Sequence, residues 1–117
     1  MIRVANVTKY YGSHCAVREL DFSIAQGECV GFLGLNGAGK STTLRLLSCL
    51  LLPTSGSVTV NGVDAESHPH EIRRLIGYLP ERPPLYGEMT VREYLRFAAE
   101  LRAVPKAKLA ERIDYVL

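Results

Sequence analysis

The chain has 117 residues, a length that suits one domain, and its 47% hydrophobic and 22% charged content excludes disordered, collagen-like and disulfide-dense classes. The formal net charge of +2 is too close to neutral to draw in nucleic acid through a basic field, so no nucleic-acid partner is expected. Cys15, Cys29 and Cys49 are odd in number, scattered and without a CxxC, which argues against a disulfide framework or a zinc site and for a reducing compartment.

The N-terminal residues Met1-Ile2-Arg3-Val4-Ala5-Asn6 alternate polar and apolar and lack the apolar block of a signal peptide. They begin a half-buried strand that runs to Tyr10-Tyr11. Gly12-Ser13-His14 makes a turn, and Val17, Leu20, Phe22 and Ile24 mark a second alternating run. After the turn at Gln26-Gly27-Glu28, Cys29-Val30-Gly31-Phe32-Leu33 is continuously apolar, the pattern of a parallel strand buried on both faces. A glycine-rich loop follows, then a helix over residues 41–51 with Leu44, Leu47 and Leu51 on one side, stopped before Pro53. The stretch from 44 to 52 is broken by Arg45 and falls far short of the ~20 apolar residues that span a bilayer.

Ser57-Val58-Thr59-Val60 reads as a short strand closed by the hairpin dipeptide Asn61-Gly62. A short helix near residues 71–75 leads to a strand at Ile76-Gly77-Tyr78-Leu79, and Pro80-Glu81-Arg82-Pro83-Pro84 is a stiff loop. Thr90 with Glu93 forms a capping box, flanked by Met89 and Tyr94 as a hydrophobic staple, and Val91, Tyr94, Leu95, Ala98 and Leu101 line one helix face. A last helix from Pro105 carries Leu109, Ile113, Val116 and Leu117 on one stripe. His14, His68 and His70 show no metal-ligand spacing.

Gly34-Leu35-Asn36-Gly37-Ala38-Gly39-Lys40-Ser41-Thr42 matches the P-loop pattern GxxxxGK[ST]. Phosphate oxygens need several N–H donors converging on one point, and glycine lets the backbone curl around them. The helix that follows adds its unpaired N–H groups and positive dipole end. Lys40 supplies a cation for the β- and γ-phosphates, and the Ser41 hydroxyl is the expected Mg²⁺ ligand. The alternative, a glycine-rich turn that only links strand to helix, is disfavoured by a buried-type strand before the loop and an amphipathic helix after it.

The words VTKYYG, DFSIAQGECVGFLGLNGAGKSTTLRLL, PTSGSVTVNG and IGYLPE, in that order, resemble the ATP-binding subunits of ABC transporters over essentially all 117 residues. IGYLPERPPLYGEMTVREYL looks most like the branch serving ABC-2-type, gliding-motility and multidrug exporters. The resemblance implies an α/β P-loop NTPase fold with an N-terminal antiparallel β subdomain (1–79 with the core), a Q-loop region (80–88) and the start of a helical subdomain (89–117). It implies binding of ATP with Mg²⁺ through Asn36, Gly37, Ala38, Gly39, Lys40, Ser41 and Thr42. It also implies a transmembrane permease partner, a second ATP-binding subunit, and a place at the inner face of the membrane. Tyr11 takes the position that stacks on adenine, where a flat π face suits a purine; Tyr10 competes for the role. Val17 pads the adenine edge or is a plain core valine.

Glu81 departs from the family pattern, which has glutamine after GYLP. A carboxylate can still ligate Mg²⁺ but donates no N–H, and Glu81 is read either as a catalytic and metal-binding residue with Lys40 or as a solvated loop charge. No LSGGQ-like signature and no apolar run ending in Asp-Glu occurs in these residues. The expectation is therefore the first half of an ATP-binding domain that binds nucleotide without turnover. The alternatives are a non-hydrolysing regulatory module and, less suited to the N-terminal strands, a small-molecule P-loop kinase.

Overall fold

β1 (Ile2–Tyr11) pairs antiparallel with β2 (His14–Ile24) across a turn at Gly12-Ser13, in a computed structural model that describes residues 1–117. Register shifts interrupt this ladder, and Asn6 (φ 48°) and Glu19 (φ 46°) occupy the left-handed region beside them. Asparagine tolerates that conformation better than most residues. Its N–H goes to the Asp21 carboxylate at 2.9 Å, and that of Glu19 to the Thr8 hydroxyl at 3.0 Å. The kink at Asn6 passes the inward position from Val4 to Val7, both fully buried.

β3 (Ser55–Val60) pairs with the other edge of β1, and β4 (Val63–Asp64) folds back on β3 at Asn61-Gly62, giving the antiparallel order β2-β1-β3-β4. A Cβ on Gly56 (φ 83°) would collide with the Asn6 carbonyl, so only glycine fits where β3 meets the kink of β1. α1 (Lys40–Leu47) and α2 (Pro69–Leu75) bring Leu46 and Ile72 onto Val4, Val7, Val58 and Val60, with Cys49 and Ala65 completing the core. These elements make up one compact unit, Met1–Tyr78.

Three expectations are corrected in this unit. Residues 29–33 form no strand: the apolar run pairs with neither β2 nor β4, Leu33 is 96% exposed, and only Phe32 finds a partner, edge-to-face on Phe22 at 5.4 Å. Residues 76–79 are likewise unpaired. An all-apolar strand exists only where neighbours cover both its edges and both its faces, and no strand of this sheet flanks either run.

The helix expected to reach position 51 stops at Leu47. Cys49 turns left-handed (φ 54°), its N–H donates to the Leu46 carbonyl and that of Leu50 to the Arg45 carbonyl. This is a Schellman stop built without glycine. Burial seats the Cys49 side chain in the core and pushes its thiol pKa up. The inward face of α1 is consequently Thr43 and Leu46, and Leu44 is exposed.

The second unit, Leu79–Leu117, holds α3 (Val91–Leu101), a 3-10 turn (Lys106–Lys108) and α4 (Leu109–Val116). The Thr90/Glu93 capping box forms as expected. Tyr86 packs near Tyr94 and Phe97, and Leu109 and Ile113 are buried, whereas Val91, Leu101, Val116 and Leu117 are exposed, so the two expected stripes are only partly covered. Arg92 and Asp114 join α3 to α4 at 2.8 Å, an exposed pair worth about 0–1 kcal/mol.

Candidate functional site

The loop over residues 34–39 leaves its extended lead and turns tightly. The Ala38 N–H donates to the Leu35 carbonyl at 3.1 Å, around Asn36 and Gly37, and Gly37 takes φ 86°. Gly39 (φ 84°) caps α1, which opens at Lys40. A Cβ at Gly39 would lie 2.6 Å from the Ala16 carbonyl oxygen and 3.0 Å from Val17 Cγ2. The end of the loop is therefore seated directly on the backbone of β2.

Lys40 reaches back over the loop: its Nζ donates to the carbonyls of Gly34 at 2.5 Å and Leu35 at 2.8 Å. Two of three ammonium donors close the ring, and the third remains for an anion beside it. The N–H groups of Lys40, Ser41 and Thr42, in the first turn, have no intrahelical carbonyl to bond. No acidic side chain offsets the positive end of the helix there, and Arg45 sits at the other end. Thr43 instead turns inward and donates its hydroxyl to the Gly39 carbonyl at 3.0 Å. Ser41 is exposed on the loop side of α1. This arrangement of donors without acceptors is a place for a multiply charged oxyanion.

Exposure does not separate Tyr10 from Tyr11, at 39% and 41%. The ladder with β2 shifts register between Val7 and Lys9 and again between Lys9 and Tyr10, so alternation alone assigns a face to neither tyrosine. Lys9 lies opposite Val17, whose methyl a Cβ on Gly39 would meet. Lys9 itself was missed from sequence. Its Nζ stands 5.7 Å from the Tyr11 ring centroid and donates to the Leu52 carbonyl at 2.7 Å, and the spacing of Lys9 and Tyr11 in KYY was the available signal. Glu81 lies in the second unit, exposed in a bend beside Arg82.

No group of three or more His, Cys, Asp or Glu side chains is assembled to cage a metal. The exposed Ser41 hydroxyl at the start of α1 is an oxygen donor of the kind that Mg²⁺ would accept.

The ABC transporter family profile matches residues 17–116. The chain is similar to the uncharacterized ABC transporter ATP-binding protein YxlF of Bacillus subtilis (strain 168), 43% identical over 117 residues that are 100% of this chain and 38% of that protein. It is similar to the sulfate/thiosulfate import ATP-binding protein CysA of Thermosynechococcus vestitus (strain NIES-2133 / IAM M-273 / BP-1), 40% identical over 99% of this chain and 34% of that one. The dimeric post-hydrolysis structure of the ATP-binding cassette MJ0796, bound to ADP and Pi, superposes with a TM-score of 0.81 at 27% identity, over 97% of this chain and 54% of that one. The chain thus spans well under half the length of these curated relatives. An import protein among them means that similarity alone does not single out the export branch expected from residues 76–95.

Proposed function

The chain belongs to the ABC transporter family of ATP-binding proteins and carries the P-loop fold of their cassettes, and on that premise we propose that it binds MgATP to power transport through a separate membrane subunit. The observation that carries the reading is the seating of Gly39 on Ala16, with Lys40 drawn across the loop. It holds backbone donors, a cation and a helix N-terminus in one fixed ring before any ligand arrives, and preorganisation is what makes such donors effective toward phosphate.

In this reading Asn36, Gly37, Ala38, Gly39, Lys40, Ser41 and Thr42 cradle the phosphates, Tyr11 stacks on adenine and Val17 lines its edge. Ser41 would hold Mg²⁺, which would supply positive charge to the phosphate oxygens; Glu81 stays an exposed acidic candidate of the second unit. Lys40 compensates charge on the same oxygens. The family works with a membrane permease and as a pair of ATP-binding subunits, and the same partners are proposed here, with MJ0796 a dimeric relative. No helix of the structure is long and apolar enough to cross a membrane. A position at the inner membrane face through the permease follows from the proposal. The proposed direction is export, on the wording of residues 76–95.

Calorimetric titration with MgATP tests the reading. Lys40→Ala is expected to lower affinity by about 10- to 100-fold, the worth of a charged hydrogen-bond partner at ~1.5–3 kcal/mol. Unchanged affinity in a folded Lys40→Ala protein would refute the phosphate site.

A further inference from the structure

We propose that Lys9 is a positioning residue for the Tyr11 ring: anchored on the Leu52 carbonyl, its ammonium covers one face of the ring and presents the other to a purine. The proposal rests on the reading of Tyr11 as the adenine platform.

Lys9 and Tyr11 are two apart in β1, and the approach of the Lys9 ammonium to the Tyr11 ring puts their side chains together. The backbone around them is pinned. The Thr54 N–H donates to the Thr8 carbonyl at 2.9 Å, and the Tyr10 N–H to the Thr54 hydroxyl at 3.0 Å. What remains free is the ring's own rotation, since Tyr11 ends the strand and is 41% exposed. The Lys9 Nζ sits within cation–π range of the ring centroid at 5.7 Å. Its 2.7 Å bond to Leu52 fixes the cation on the segment that follows α1, the helix whose other end carries the P-loop. One ammonium thereby ties the aromatic platform to the phosphate-binding helix. A ring already held in place loses less rotamer freedom when a base stacks on it.

The test compares MgATP with inorganic tripolyphosphate, which offers the same anion without a base, in the whole protein and its variants. Lys9→Met, which keeps the stem and removes the charge, is expected to weaken MgATP about two- to fivefold and leave tripolyphosphate unchanged. Lys9→Arg restores MgATP affinity, and Lys9→Met adds nothing once Tyr11→Ala is present. Lys9→Gln, which also removes the charge, repeats the test if the Met variant does not fold. An equal loss for tripolyphosphate would make Lys9 a general phosphate attractor and overturn the proposal, as would an undiminished effect in the Tyr11→Ala background. Unchanged MgATP affinity in Lys9→Met, with a clear loss in Tyr11→Ala, rejects the positioning role alone. No loss in Tyr11→Ala rejects the platform itself and Lys9's role with it.

Discussion

The α-carbon of Gly39 rests against the carbonyl of Ala16 so closely that no side chain fits between them. The loop's own bonds shape it, and this contact seats its end on β2.

Gly39→Ala meets both obstacles at once, a left-handed φ of 84° and overlap with a backbone oxygen that cannot swing aside. Left-handed strain costs about 1–2 kcal/mol and overpacking about 1–3 kcal/mol, so a total loss of about 2–5 kcal/mol is expected. The urea midpoint of unfolding measures it, and a midpoint equal to the parent's would show that the loop is not seated on β2.

Tyr11, which has the Lys9 ammonium beside its ring, is the residue proposed as the adenine platform. Tyr11→Ala is expected to weaken MgATP binding by ~0.5–1.5 kcal/mol, with Tyr11→Phe and Tyr11→Trp retaining most of it and Tyr10→Ala close to neutral. A larger loss at Tyr10 reverses the assignment, and equal losses in Tyr11→Phe and Tyr11→Ala point to the hydroxyl.

The cap of α3 is sensitive to acid. The Glu93 carboxylate accepts from the Thr90 N–H and hydroxyl, both at 2.8 Å, and those bonds hold its pKa below the usual glutamate range. A depressed folded-state pKa contributes stability above the unfolded value, about 4.3, which is lost as pH falls through the lower folded value. Amide exchange in α3 should therefore quicken as pH falls below that range after correction for intrinsic rates, and the pH dependence should flatten in Glu93→Gln, which can still accept from Thr90. Asp64, lowered by its bonds from Ser67, acts in the same direction in the other unit, so residue-resolved exchange keeps the two apart. Identical pH profiles for Glu93→Gln and the parent would exclude the cap as the cause.

Ala103 ends α3 as Cys49 ends α1, left-handed at φ 54°, with its N–H on the Glu100 carbonyl and that of Val104 on the Ala99 carbonyl. Unlike Cys49 it is exposed, so nothing is lost from the core by changing it. Ala103→Gly should stabilise by up to about 1 kcal/mol, and β-branched Ala103→Val should destabilise, both read from thermal unfolding. A lower midpoint in Ala103→Gly would mean that the motif is not the resting end of the helix.

Phosphate release by the 117-residue chain is expected to stay at the level of Lys40→Ala. These residues contain no apolar run ending in Asp-Glu to position water, and transfer of a phosphoryl group needs such placement. Release above that background, abolished in Glu81→Gln, would instead make Glu81 the base.

Local chemistry was legible in the sequence. The P-loop, the Asn61-Gly62 hairpin and the Thr90/Glu93 cap each depend on residues a few positions apart, whose donors, acceptors and allowed φ act without distant partners. The family resemblance rests on the same local words, Tyr11 through Lys40 among them. Non-local contacts decided the rest. Residues 29–33 and 76–79 carry ideal strand composition, yet a strand is a relation to a neighbour, and no strand of this sheet pairs with them. Leu44 looked inward by spacing, but in the fold Thr43 and Leu46 face the core and Leu44 is exposed. The cation beside Tyr11 came only from the tertiary structure, because Lys9 is anchored on the Leu52 carbonyl, 43 residues away in the chain.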